Sequence, residues 1–195
     1  MADPVEVLDF WIGEVGEDGW FDGGDALDTE IRDRFGDLWQ AALEGGLEHW
    51  VDGIAATLAY LVLCDQMSRN IHRGKAEAFA TDGQALTAAR TALTQGWDLQ
   101  APEPERMFFY LPFEHSENPE DQALAVTLMT ERLPMDPSMA LHARAHQEVI
   151  RRFGRFPTRN AALGRADTAE EAEYLDAGGY GALLKSLRAS HAGDA

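Results

Sequence analysis

At 195 residues and 21.5 kDa, with 45% apolar residues, the chain is long enough to bury a sizeable core without disulfides or metals, and too apolar to be disordered. A formal net charge of −18 and a pI near 4.5 argue against nucleic acid and anionic membrane as partners, because phosphate surfaces are bound through positive charge.

Asp3 and Pro4 read as the cap and first residue of a short helix carrying Val5, Leu8 and Trp11 inward. Its opening, "MADPVEVLDFW", lacks a basic region followed by an apolar stretch and does not read as a signal peptide. The glycine- and acid-rich "GEVGEDGWFDGGD" is expected as a loop, with Trp20 and Phe21 as anchors; its Asp18-Gly19 and Asp22-Gly23 pairs have no strands to join. Ile31, Phe35, Leu38 and Ala42 then recur at helical spacing until Gly45-Gly46.

Residues 53–70 predict a helix apolar almost all round, hence central to the core. Its run "IAATLAYLVLC" is too short to span a bilayer. Cys64, the one cysteine, reads as a small buried hydrophobe. A reducing, cytoplasmic setting follows as the expectation. A further helix is predicted from Asp82 to Gln95, and an aromatic one over 103–111.

Asn118-Pro119 caps and opens a helix to about Arg132, and Asp136-Pro137 opens the next, which Gly154 stops. Thr168 and Glu171 have capping-box spacing. The tail 181–195 is expected to add a turn or two and then fray. No segment alternates as a strand does. The fold class is therefore all-α: a single domain over 1–195 of packed antiparallel hairpins, about seven to nine helices.

Three polar constellations interrupt this pattern. In "LCDQMSRNIHRG", Asp65 and Arg69 share a helix face, as do Gln66 and Asn70, directly after the apolar run. Buried Asp and Arg must be paired, so structure and function both account for them. His72 and Arg73 stand before Gly74, where cations suit a helix C-terminus.

In "FFYLPFEHSEN", Phe108, Phe109 and Leu111 read as core, while Glu117 and Asn118 have helix-start duties. Glu114 and His115 cap nothing obvious and adjoin aromatic walls, which makes them a candidate acid/base pair. Ser116 is weak evidence for a nucleophile, since the context of a nucleophile elbow is absent.

In "HARAHQEVIRRFGRFPTRN", His142 and His146 lie one turn apart, but the catalytic glutamate of a zinc-protease helix is missing and no third ligand is fixed, so no metal is assigned. Five arginines and no acid run from Arg151 to Arg165. They suit either a helix C-terminus or an anion site.

Together, "VLDFWIGE", "CDQMSRNIHRG", "AFATD", "FFYLPFEHSE" and "RFGRFPTRNAALGR" resemble, in order and spacing from about Val5 to Leu175, the bacterial family known as domain of unknown function 924. The resemblance implies an all-helical, tetratricopeptide-like fold and leaves the activity open. The family's characteristic polar positions fall on Asp65, Gln66, Arg69, Asn70, Arg73, Glu114, His115, Ser116, Glu117, His146, Arg155, Arg159 and Asn160. Two departures stand out. Thr158 occupies the place of a usual histidine, and Met67-Ser68 that of an aromatic residue with proline.

The expected function is a polar pocket between helices that binds or transforms a small anionic molecule. Glu114 and His115 would serve as acid/base or recognition groups. Arg69, Arg155 and Arg159 would hold the anion, with Asp65, Asn70, Arg73, Tyr110, His146 and Asn160 as further ligand contacts. No cofactor is implied. Two alternatives stay open: a helical adaptor for a peptide or protein partner, and a buried hydrogen-bond network that fixes how helices cross.

Overall fold

A computed structural model describes residues 3–21 and 23–193, with the side chains of 191–193 left aside. Helices account for the regular structure, and no strand occurs among the described residues. Asp22, in one of the two Asp-Gly pairs, and the last two residues of the tail lie outside the described residues. The chain packs as two compact units, Met1–Pro112 and Phe113–Ala195.

In the first unit, α1 (Pro4–Leu8) starts as expected, with the Asp3 carboxylate accepting from Val5 N at 2.9 Å. It does not give way to a loop. The helix continues as a π-helical segment, Asp9–Val15, which Gly16 at φ +67° interrupts before α2 (Gly16–Trp20). Val7, Phe10 and Trp11 face inward while Val5 is 56% exposed, correcting the expected face. A π turn takes more residues per turn and so rotates whatever follows it.

Trp20 anchors the segment by donating Nε1 to the Trp11 carbonyl at 2.7 Å. Phe21 is 63% exposed and anchors nothing. The glycine content of 13–24 hid this continuation, because glycine weakens a helix without forbidding it.

α3 (Asp25–Leu43) buries Ile31, Phe35, Trp39 and Ala42. The predicted central helix is α4 (Ile54–Leu61), a second π segment Val62–Met67, and α5 (Ser68–Ile71). Every residue from Thr57 to Ser68 is buried, Cys64 among them. α6 (Asp82–Gln95) has the predicted bounds. The expected helix over 103–111 is instead a 3-10 turn, Glu105–Phe109, preceded by Pro102 and Pro104. Neither proline can donate a backbone hydrogen bond, and the chain tightens there. The one-turn helix α7 (Leu111–Glu114) follows.

In the second unit, α8 (Pro119–Arg132) and α9 (Pro137–Phe153) form the main hairpin, with the predicted caps. Asn118 accepts from Glu120 N, and Asp136 from Ser138 N. Gly154, at φ +69°, supplies the left-handed residue that ends α9 and gives its N–H to Ile150 O at 2.8 Å. α10 (Ala169–Asp176) follows the capping box of Thr168 and Glu171.

The tail is more regular than expected. α11 (Gly179–Gly193) docks on α9, and Leu183 packs against the cluster of Val149, Ile150, Phe156 and Tyr174. That apolar contact holds a helix which its own sequence signals only weakly.

Candidate functional site

The site forms in the second unit around the end of α7. Glu114 is 3% exposed, and its Oε1 lies 2.7 Å from Nδ1 of His146 on α9. The same nitrogen is 3.0 Å from the His142 carbonyl. Neither oxygen carries a hydrogen when Glu114 is ionised, so Nδ1 is the donor and Nε2 is left for other partners. Glu114 Oε2 is buried and receives no hydrogen bond among the described residues.

The environment of this pair is aromatic and cationic. The His146 ring lies 4.8 Å from that of Tyr180, 5.6 Å from Phe156 and 6.2 Å from His115. Arg159 stacks its guanidinium 4.5 Å over Phe156 and donates Nη2 to the His115 carbonyl at 2.9 Å. Nδ1 of His142 is 2.6 Å from the Tyr180 hydroxyl.

Burial alone would raise the Glu114 carboxyl and lower the His146 imidazole, but their mutual attraction and hydrogen bond prevail. Glu114 is held below its ordinary value and His146 above it. His142 has no such partner, and burial lowers it. Burial likewise pushes the Tyr180 phenol up, so it keeps its proton.

Two supports place these groups. Gln122, fully buried on α8, donates Nε2 to the carbonyls of Glu114 at 2.5 Å and Ser116 at 2.7 Å, with Phe113 O at 3.5 Å. It satisfies the carbonyls that a one-turn helix leaves bare. Glu117 accepts from Phe156 N at 2.8 Å and takes the Arg165 guanidinium on both oxygens, at 2.9 and 3.0 Å. Burial would raise its carboxyl, but these bonds hold it below the usual range. Ser116 is tied into the local turn, donating to Asp121 and accepting from Asn118 N.

Of the predicted residues, Glu114, His115, His146 and Arg159 come together here. Arg155 and Asn160 belong to the same unit but point to other partners. Arg155 forms a two-pronged bond to Glu171, at 2.6 and 2.7 Å, and Asn160 donates to Asp167 at 2.7 Å. Thr158 is exposed.

The remainder lie in residues 1–112. Arg69 pairs with Asp82 at 2.7 Å and approaches Asp65 at 3.6 Å, and it donates to the Ala78 carbonyl. Gln66 donates to Asp65. Arg73 and Asn70 converge on the buried carboxylate of Asp28, and Tyr110 donates to buried Asp98 at 2.8 Å.

The sequence reading missed Asp28, Gln122 and Tyr180. Gln122 had a usable signal, being polar on the inward stripe that continues through Ala125 and Met129. Among the described residues no group of three or more His, Cys, Asp or Glu side chains is placed to hold a metal. Both Nδ1 atoms of the His142/His146 pair are already engaged.

The Glu171 contacts give a pH prediction. Bonds from Arg155 and the Thr168 N–H hold this carboxyl at about 2, against an ordinary 4.5. Its folded value is the lower one, so its contribution is present above pH 4.5 and disappears as pH falls toward 2. Acid unfolding followed by circular dichroism should therefore show a shallower loss over that interval in Glu171→Gln than in the wild type. Superimposable acid limbs would refute this.

Fold and site together define an all-helical protein with a buried carboxylate–imidazole pair at its candidate site. The chain belongs to the family described as "Bacterial protein of unknown function (DUF924)", which matches residues 7–179. It is similar to a solved protein of unknown function from Agrobacterium tumefaciens, ATU0120, with 40% identity and a TM-score of 0.82 over 88% of this chain and 96% of that one. No curated protein matches it. Among the described residues no helix is long and apolar enough to cross a membrane.

Proposed function

We propose that the protein binds a small anionic molecule beside His146 and acts on it by proton transfer. His146 is the acid/base group, Glu114 its orienting carboxylate, and His115 and Arg159 supply positive or donating character nearby. The observation that carries this reading is the 2.7 Å Glu114–His146 bond between two largely buried groups, with the second carboxylate oxygen receiving no hydrogen bond among the described residues. Keeping a buried carboxylate costs stability unless its bonds are completed, and sites that do chemistry are where such costs recur.

Relative to the sequence reading, His146 takes the central place that His115 held, because its ring nitrogen makes the bond to Glu114. The network reading is the better account of Arg69, Arg73 and Arg155. Each is engaged with a carboxylate of its own unit, and none is needed to hold an anion.

Thermal-shift measurements against a panel of small carboxylates, phosphate and sulfate would test the proposal, with native mass spectrometry of the freshly purified protein alongside. At least one anion should stabilise the wild type and lose its effect in His146→Gln, while the variant remains folded by circular dichroism. If no anion shifts the wild type and none co-purifies, or if His146→Gln responds equally, the proposal fails.

A further inference from the structure

His142 and His146 sit one turn apart on α9, yet their ring nitrogens have opposite surroundings. Nδ1 of His146 meets two acceptors, the Glu114 carboxylate and the His142 carbonyl. Nδ1 of His142 meets a hydroxyl, that of Tyr180, at 2.6 Å. The half-buried Tyr180 phenol keeps its hydrogen, and a hydroxyl that gives it to the imidazole nitrogen at its tip makes that nitrogen the acceptor.

Tyr180 does more than complete that bond. Its ring stands 4.8 Å from the His146 ring, the shortest of the three ring contacts to it, so one residue of α11 both grips His142 and walls His146. Tyr180 follows directly on the segment matched to the family, and nothing in that match assigns it a role.

We infer that Tyr180 and His142 form a positioning arm for His146: Tyr180 holds His142 in the neutral tautomer opposite to the one that Glu114 and the His142 carbonyl set in His146, and its ring walls His146 so that Nε2 is presented as the reactive atom. His142 carries its hydrogen on Nε2 and accepts from Tyr180. His146 carries its hydrogen on Nδ1 and donates to Glu114. The charged or titratable groups around His146 are Glu114 from α7, His115 and Arg159 from the loops, and His142 and Tyr180 from the helices. Arg188 and Asp136 act at longer range on His142. Among the described residues, Glu114 and the His142 carbonyl engage Nδ1 of His146, so its hydrogen is fixed there.

The inference rests on the functional reading above for the purpose of the arm, but its test needs no ligand. Long-range proton–nitrogen NMR of uniformly labelled protein reports which ring nitrogen of each histidine bears hydrogen. In the wild type, above the titration of both rings, His146 should be the Nδ1–H form and His142 the Nε2–H form. In Tyr180→Phe, His142 should become a mixture of tautomers while His146 keeps Nδ1–H and its ring signals shift.

The same tautomer at both histidines in the wild type overturns the inference, and so does a His142 signature unchanged in Tyr180→Phe. The wild-type spectrum decides even if the variant does not fold. An opposite-tautomer spectrum together with a failed anion screen would sink the proposed function and leave the arm standing.

Discussion

Glu114→Ala is expected to lower the stability of the protein by roughly 3–5 kcal/mol, because it removes one partner of a buried ion pair and strands the other. For a chain of this length that is a fall in melting temperature on the order of 10 °C, readable by circular dichroism. The effect has a pH signature. Glu114 is held below its ordinary 4.5, so its share of the pair's stability is present above that pH and lost as pH falls through the folded value. His146 is held above its ordinary 6.5, so its share is fully present below 6.5 and lost as pH rises through the folded value.

The pair is therefore worth most between pH 4.5 and 6.5, where both groups are charged in the fold. The gap between wild type and Glu114→Ala should be widest there and narrow on the alkaline side. A gap that widens steadily toward alkaline pH would show that the two groups are not a charged pair.

Gln122→Leu should cost about 2–4 kcal/mol despite its similar size and greater hydrophobicity. The amide serves the carbonyls of Glu114 and Ser116 at hydrogen-bond distance, and leucine leaves the buried one of Glu114 and the half-buried one of Ser116 without this donor. An apolar replacement is nearly neutral only when both partners of a hydrogen bond are replaced, and here the carbonyls remain, so the sign and size of this effect are diagnostic. Equilibrium urea unfolding is the measurement. The His146 signals in Gln122→Leu should also move, because the α7 turn that carries Glu114 loses its hold. A neutral substitution would mean that the carbonyls find other donors.

The helical class and most helix bounds were legible because capping chemistry is local. Asn118-Pro119, Asp136-Pro137, Gly154 and the Thr168/Glu171 box each act within a few residues, and each stands where its sequence says. The π segments at 9–15 and 62–67 were not legible, since a helix reads at a 3.6-residue period and a π turn breaks that period without a marker residue.

The site divided in the same way. Glu114 stood out because no local duty explained it. Its partner was found only through space, 32 positions further on, and adjacency had suggested His115 instead. Tyr180 carries no motif, and Gln122 shows only as a polar residue on an inward stripe. Their importance comes from what other elements leave unsatisfied, and that is a property of packing rather than of sequence.

The Glu117 clasp bears on how the second unit comes to be assembled. It ties position 117 to Phe156 and Arg165, separations of 39 and 48 residues, across the open end of the α8–α9 hairpin. Closing so wide a loop is entropically unfavourable until the hairpin between has formed, so these bonds are expected to close after it. The Phe156 and Arg159 side of the site is set by the same closure. The surroundings of Glu114 are thus complete only once the hairpin has closed, and a partly folded chain would display Glu114 without the Phe156 and Arg159 side of the site.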